Sequence, residues 1–175
     1  MNETSILKIK KIFKMGYLPS RGLIDYSFSP FKVNCLGHAC FNFTDKILKE
    51  ISEEVFFYHI PSFRVPSEDV FTEDLSYYLK AVGLKISPCE KLDILKSNEW
   101  KVALYFSYEL GGITDYHFML QEKDGHWSSK QGWHSQYLDF FKTLPEVYDT
   151  NYKLFGVYKI SNPYAKKENE LEKEK

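Results

Sequence analysis

Asn34-Cys35-Leu36-Gly37-His38-Ala39-Cys40-Phe41 reads as the start of a helix. Asn34 is a good N-cap, because its side-chain carbonyl accepts an orphan amide hydrogen bond two or three residues on. A helix from Cys35 to about Phe43 is predicted, with the cysteine in its first turn. Far downstream, Asp115-Tyr116-His117-Phe118-Met119-Leu120 is a run of strand formers with one histidine inside it. A thiol at a helix start and an imidazole on a strand are the two parts a thiol nucleophile needs.

The segments around these two stretches fall into an ordered pattern. Ile6, Ile9, Ile12 and Phe13 recur at helical spacing, so residues 4 to 15 form an amphipathic helix. Gly16 and Pro19 stop it. The stretch from 16 to 33 holds Pro19, Gly22 and Pro30 and is an irregular connection. Thr44-Asp45 caps a further helical turn through Ile51. Pro66-Ser67-Glu68-Asp69 starts a helix with acids in the first turn, where they oppose the dipole. Phe71, Leu75, Tyr78, Leu79 and Val82 make its buried stripe, and Gly83 ends it.

Beyond Gly83 the period changes. Leu84 to Ile86, Lys101 to Tyr108, Tyr116 to Gln121, Trp127 to Lys130 and Tyr152 to Ile160 are predicted strands. Gly111-Gly112 is a turn. Lys123-Asp124-Gly125-His126 is a hairpin turn, because Asp-Gly suits positive φ. Helices first and antiparallel strands second is an α+β pattern. Residues 1–163 make one domain, and the charged stretch 164–175 is a solvated or disordered tail.

Composition narrows the function. The 175 residues are 43% apolar, which suits a globular domain with a sizeable core. Net charge is −1, so no global basic field points to nucleic acid. The Lys8-Ile9-Lys10-Lys11 patch is a solvated helix face. No apolar run spans a bilayer, and lysines interrupt the first apolar residues, so neither a membrane anchor nor a signal peptide is expected. The expected location is cytoplasmic. Three cysteines cannot all pair within one chain, and free thiols fit that location. No phosphate-binding loop, dinucleotide fingerprint or serine-nucleophile elbow is present, and no cofactor is expected.

A thiol does little at neutral pH unless it is ionised. A helix N-terminus directs amides at the thiolate and lowers its pKa from about 8.5. Cys35 is placed for this, and the same amides can face an oxyanion. The plain alternative is a small buried core residue. Cys40 lies deeper in the helix and reads as core. Cys89 follows Pro88 in a connection. His117 shares a strand face with Met119, and its plain alternative is a hydrogen-bonded histidine on a half-buried sheet. Cys35, His38 and Cys40 do not make a metal site, since residues five apart on a helix point about 140° from each other. His38 is either a near-site group or a histidine at the surface or core edge. His59 is structural and His126 exposed. His134 lies near the hairpin, and Trp127, Trp133 and Tyr137 line a cleft or pack a core.

The Asn-Cys-x-x-x-Ala stretch at 34 to 39 resembles the nucleophile helix of compact bacterial papain-like (NlpC/papain-type) cysteine hydrolases. Asp115-Tyr116-His117-Phe118, followed by Asp124-Gly125 and Trp127-Ser128, resembles their histidine hairpin. The resemblance covers these two segments. It implies a cysteine-bearing helix packed on an antiparallel sheet that carries the histidine, and a hydrolase or acyl transferase acting on a peptide, amide or thioester. Cys35 would be the nucleophile and His117 its base. The pattern it resembles continues Trp-Ser-His-Lys then Pro-Gly, whereas this chain has Trp127-Ser128-Ser129-Lys130-Gln131-Gly132. Ser129 therefore stands where the imidazole's orienting group is expected, with Gln131, His134 or Asp115 as substitutes. A weakened orienter also leaves open a catalytically inactive protein that binds a partner on the same fold.

Overall fold

The computed structural model describes residues 3–22, 33–51, 67–131 and 138–165. The predicted elements at Pro66, Pro30, His59, Trp133, His134 and Tyr137, and the tail from 166, lie outside them.

Three α-helices precede the strands: α1 (Glu3–Lys14), α2 (Asp45–Ile51) and α3 (Glu68–Ala81). Between α1 and α2 lies the cysteine turn, in which Cys35 and Leu36 are α-helical and Gly37–Phe41 is π-helical. Ile9 and Phe13 of α1 are fully buried, as the helical spacing requires. Ser67 caps α3, its Oγ accepting the Val70 N–H at 3.2 Å. Gly83 ends that helix at φ +93°, a conformation a Cβ would strain.

The strands are β1 (Lys85–Pro88), β2 (Glu99–Glu109), β3 (Gly112–Gln121), β4 (Trp127–Lys130), β5 (Leu138–Phe141), β6 (Val147–Tyr148) and β7 (Tyr152–Ser161). They form one antiparallel sheet in the order β1-β7-β2-β3-β4-β5, with β6 paired to β7. The fold is α+β. Every residue of β2 from Trp100 to Ser107 is buried, so both faces of the sheet are covered there. Alternation along the strands sorts the core into two layers. Val102, Leu104, Phe106, Phe118 and Leu120 pack against the helices and the cysteine turn. Ala103, Tyr105, Met119, Trp127, Tyr148 and Val157 form a second cluster on the far face. The Tyr105 hydroxyl donates to the Pro145 carbonyl at 2.7 Å and ties down the segment covering that face.

Four sequence expectations need correction. The cysteine helix stops at Phe41 rather than Phe43, because Asn42 turns left-handed (φ +48°) and its N–H closes a five-residue ring on the Gly37 carbonyl at 2.9 Å. Asn tolerates that conformation better than most residues. The domain runs past 163: Ala165 is buried, and its N–H reaches the Asn162 carbonyl. Strands β5 and β6 were not expected. β5 lacks alternation and β6 is only two residues long, so both owe their structure to β4 and β7. His38 is fully buried rather than at the surface or core edge. Among the described residues no helix is long and apolar enough to cross a membrane.

Candidate functional site

Asn34 caps the cysteine turn as its side chain predicts. Its Oδ1 accepts the Gly37 N–H at 2.8 Å, and its carbonyl accepts the His38 N–H at 2.9 Å. Those two amides are thereby occupied. The Leu36 N–H and the Phe118 N–H of β3 are the backbone donors that face the Cys35 sulfur.

The thiol itself does not behave as the sequence suggests. Cys35 is only 7% exposed, and burial pushes its pKa up to about 12. The two amides and Lys130 oppose the rise, and Asp115 adds to it. The expected lowering fails because the turn is short, its first amides are spent on Asn34, and the sulfur sits in the helix-side core. Cys40 is completely buried, and its thiol is also raised, chiefly by burial.

His117 projects from the opposite face of β3, beside Met119. Its Nε2 lies 2.6 Å from Ser129 Oγ. Its ring stacks on Tyr148 at 4.7 Å and 14°, and Tyr152 packs at 5.7 Å. Burial pushes its pKa down to about 4. Ser129 is thus in contact with the imidazole, as its position in the hairpin implies.

The thiol and the imidazole approach β3 from its two faces and meet it at consecutive residues. Cys35 reaches the backbone of Phe118, one residue beyond His117. They also share surroundings. Tyr152, whose ring packs on His117, donates to Asp115 Oδ2 at 2.8 Å, and the Asp115 charge acts on Cys35. No hydrogen bond joins Sγ to the imidazole among the described residues. At neutral pH both groups are uncharged.

The remaining candidates divide. His38 turns into the helix-side core, where its Nε2 lies 2.8 Å from Ser128 Oγ. Ser128 in turn donates to Glu122 Oε1 at 2.5 Å. Burial, then Lys130 and His117, push His38 down to about 3. Gln131 makes no hydrogen bond to the imidazole among the described residues; its Nε2 donates to Asp139 Oδ2 at 3.1 Å. Asp115 is engaged by Tyr152. Trp127 packs in the far-side cluster.

Three residues of this site were not singled out from sequence. Lys130 is 2% exposed, acts on Cys35, and is pushed down to about 8 by burial. Asp139 stands opposite Ser129 in the β4–β5 register. The Tyr148 hydroxyl donates to Asp139 Oδ2 at 3.0 Å. The alternation of β4 could have flagged Lys130, two residues beyond Ser128 on the helix-side face. Nothing local marks Asp139 or Tyr148. No cluster of three or more His, Cys, Asp or Glu able to hold a metal occurs among the described residues.

Comparison of the chain with protein-family models, curated proteins and solved structures returns no match in any of the three.

Proposed function

We propose that this protein is a papain-like thiol hydrolase or acyl transferase, with Cys35 as nucleophile and His117 as base. The observation that carries this reading is the anchoring of His117. Nε2 is held by Ser129 at 2.6 Å, and among the described residues no group bonds Nδ1. An imidazole fixed through one nitrogen keeps the other for proton transfer.

With both groups neutral at rest, the reaction begins by proton transfer rather than from a stored ion pair. Cys35 lies in the helix-side core, across β3 from the imidazole, so the thiol must first turn past that strand; it then gives its proton to His117 Nδ1 as the sulfur bonds to the acyl carbon of a peptide, amide or thioester. The carbon–nitrogen or carbon–sulfur bond then breaks, and the imidazolium protonates the leaving amine or thiol. Water or another nucleophile loses a proton to the same nitrogen, takes the acyl group and restores the thiol. The Leu36 and Phe118 amides are the donors available to the charge that develops.

The test uses p-nitrophenyl acetate as acyl donor, with peptide mass spectrometry to locate the acetyl group. Wild type should acquire it on Cys35, Cys35→Ala should not, and His117→Ala should slow it by about a hundredfold or more. Equal rates in wild type and His117→Ala, or no acetyl on Cys35, overturn the reading.

A second reading has its own support. A thiol 7% exposed and raised to about 12 suits a catalytically inactive protein that binds a protein partner on the same fold. Absence of acetylation at Cys35, together with a partner recovered by pull-down equally well with wild type and Cys35→Ala, would establish it.

A further inference from the structure

The segment after α1, the loop before β2 and the β3–β4 turn meet around a cavity of about 400 Å³. That volume suits a small molecule. Hydrogen bonds pin each wall. Asn162 Nδ2 holds the Tyr17 carbonyl at 2.8 Å, and the Lys123 N–H donates to the Arg21 carbonyl at 3.0 Å. The Glu99 N–H donates to the Lys96 carbonyl at 3.0 Å and closes the loop into β2.

The charge of the lining is one-sided. Arg21, Lys96 and Lys123 bring three cations to it, and Ser20 and Ser97 add two hydroxyls. Among the described residues Glu99 is the one carboxylate there, and both of its oxygens are engaged. Oε1 lies 3.5 Å from Lys159 Nζ, and Oε2 accepts the Lys96 N–H at 2.9 Å.

The same lining holds a donor without an acceptor. Trp100 is 1% exposed, and its indole Nε1–H is buried with no hydrogen-bond partner. Of the three buried side-chain atoms left unbonded among the described residues, it is the one that can only donate. Buried polar groups in folded proteins nearly always find a partner, so this one marks a place for an acceptor.

We propose that this cavity binds a small phosphate monoester, with the phosphate held by Arg21, Lys96, Lys123 and the Trp100 N–H. A phosphate monoester brings nearly two negative charges and three strong acceptor oxygens. That matches three cations and an unused donor better than a carboxylate, with its single charge and two oxygens. The organic part lies against Leu18 and Leu95, the apolar share of the wall. Neither Cys35 nor His117 lines this cavity, so the proposal stands apart from the hydrolase reading.

The probe is phenyl phosphate, titrated into the full chain at pH 7 by calorimetry and followed by NMR of the indole N–H groups. Wild type should bind it, and the Trp100 N–H signal, assigned with Trp100→Phe, should move downfield. Arg21→Gln, Lys123→Gln and Trp100→Phe should each weaken binding by about tenfold. Lys80→Gln, on α3 and outside the cavity, should not. Benzoate should bind about tenfold more weakly than phenyl phosphate. No binding at concentrations on the order of 10 mM overturns the proposal. So does an unmoved Trp100 signal, or equal weakening by Lys80→Gln and Lys123→Gln, which marks diffuse surface attraction. Inorganic phosphate bound as tightly as the ester also overturns it, since the organic part then has no place. Lys123 is exposed and Arg21 half-buried, so their variants decide the matter even where Trp100→Phe fails to fold.

Discussion

Ser128 and Ser129 are neighbours on β4, and each holds a different buried histidine on an opposite face of the sheet. Ser128 Oγ lies 2.8 Å from His38 Nε2, and Ser129 Oγ lies 2.6 Å from His117 Nε2. Strand geometry sends consecutive side chains to opposite faces, so two adjacent serines serve two separate polar networks. The helix-side network ends on Glu122, while on the far side the His117 ring also stacks on Tyr148.

The two serines should therefore differ when removed. Ser128→Ala leaves His38 and Glu122 without their shared partner in the core, where Glu122 Oε2 already lacks a bond. A loss of about 1–3 kcal/mol is expected in urea unfolding, with acetylation of Cys35 little altered. Ser129→Ala should do the reverse, slowing acetylation more than it lowers stability. Matching effects from the two substitutions would refute the division.

Stability should fall as the solution is acidified from pH 6.5. His38 and His117 are held neutral by burial, with pKa values pushed down from 6.5 to about 3 and about 4. Below pH 6.5 the unfolded chain takes up these protons and the folded chain does not, so folding weakens as pH drops. For His117 the loss is complete near pH 4, and for His38 it continues toward pH 3. Each pH step of one within that window costs about 1.4 kcal/mol per histidine, so the loss by pH 5 is on the order of 2 kcal/mol for each. Urea unfolding at pH 7 and pH 5 measures it, and His117→Gln should remove about half of the difference. A flat profile over this range would disprove the account.

Iodoacetamide should modify Cys35 slowly. With its pKa pushed up to about 12, only on the order of one thiol in 10⁵ is ionised at pH 7. The rate should rise about tenfold per pH unit while the fold lasts. Cys89, which is half-buried, should be modified first. Faster alkylation at Cys35 than at Cys89 at pH 7 would contradict this environment.

Asn162 should be among the costliest polar residues to lose. It is fully buried at the end of β7, and its Nδ2 donates to the Phe13 and Tyr17 carbonyls at 2.9 and 2.8 Å. Asn162→Ala leaves two carbonyls at the end of α1 without that donor, at a cost of about 2–4 kcal/mol. A change below about 0.5 kcal/mol in urea unfolding would show that water replaces the amide.

Local signals carried much of this architecture. The Asn34 cap, the Ser67 cap, Gly83 and the Asp124-Gly125 turn each act within a few residues, and all lie where their chemistry puts them. The contact between His117 and Ser129 was legible through the resemblance to the histidine hairpin, which puts Ser129 at the orienting position, and the β3–β4 pairing brings the two strands together. Asp139 and Tyr148 were not, since they reach His117 only through pairings of β5 with β4 and of β6 with β7. The raised thiol pKa was hidden for a similar reason. A cap acts locally, whereas burial of Cys35 depends on what distant segments lay over it.

The π-helical ring at Gly37–Phe41 also separates two jobs. Closing on a fifth residue instead of a fourth inserts one residue into the winding, which turns the chain by about 100° relative to a regular α-helix. Phe41 can stack on Phe43 and pack against Phe13 without dictating where Cys35 aims. The ring thus works as a phase shifter: anchoring in the oil and pointing of the sulfur can be tuned apart, and losing a single residue from it would spoil the aim while sparing the anchor.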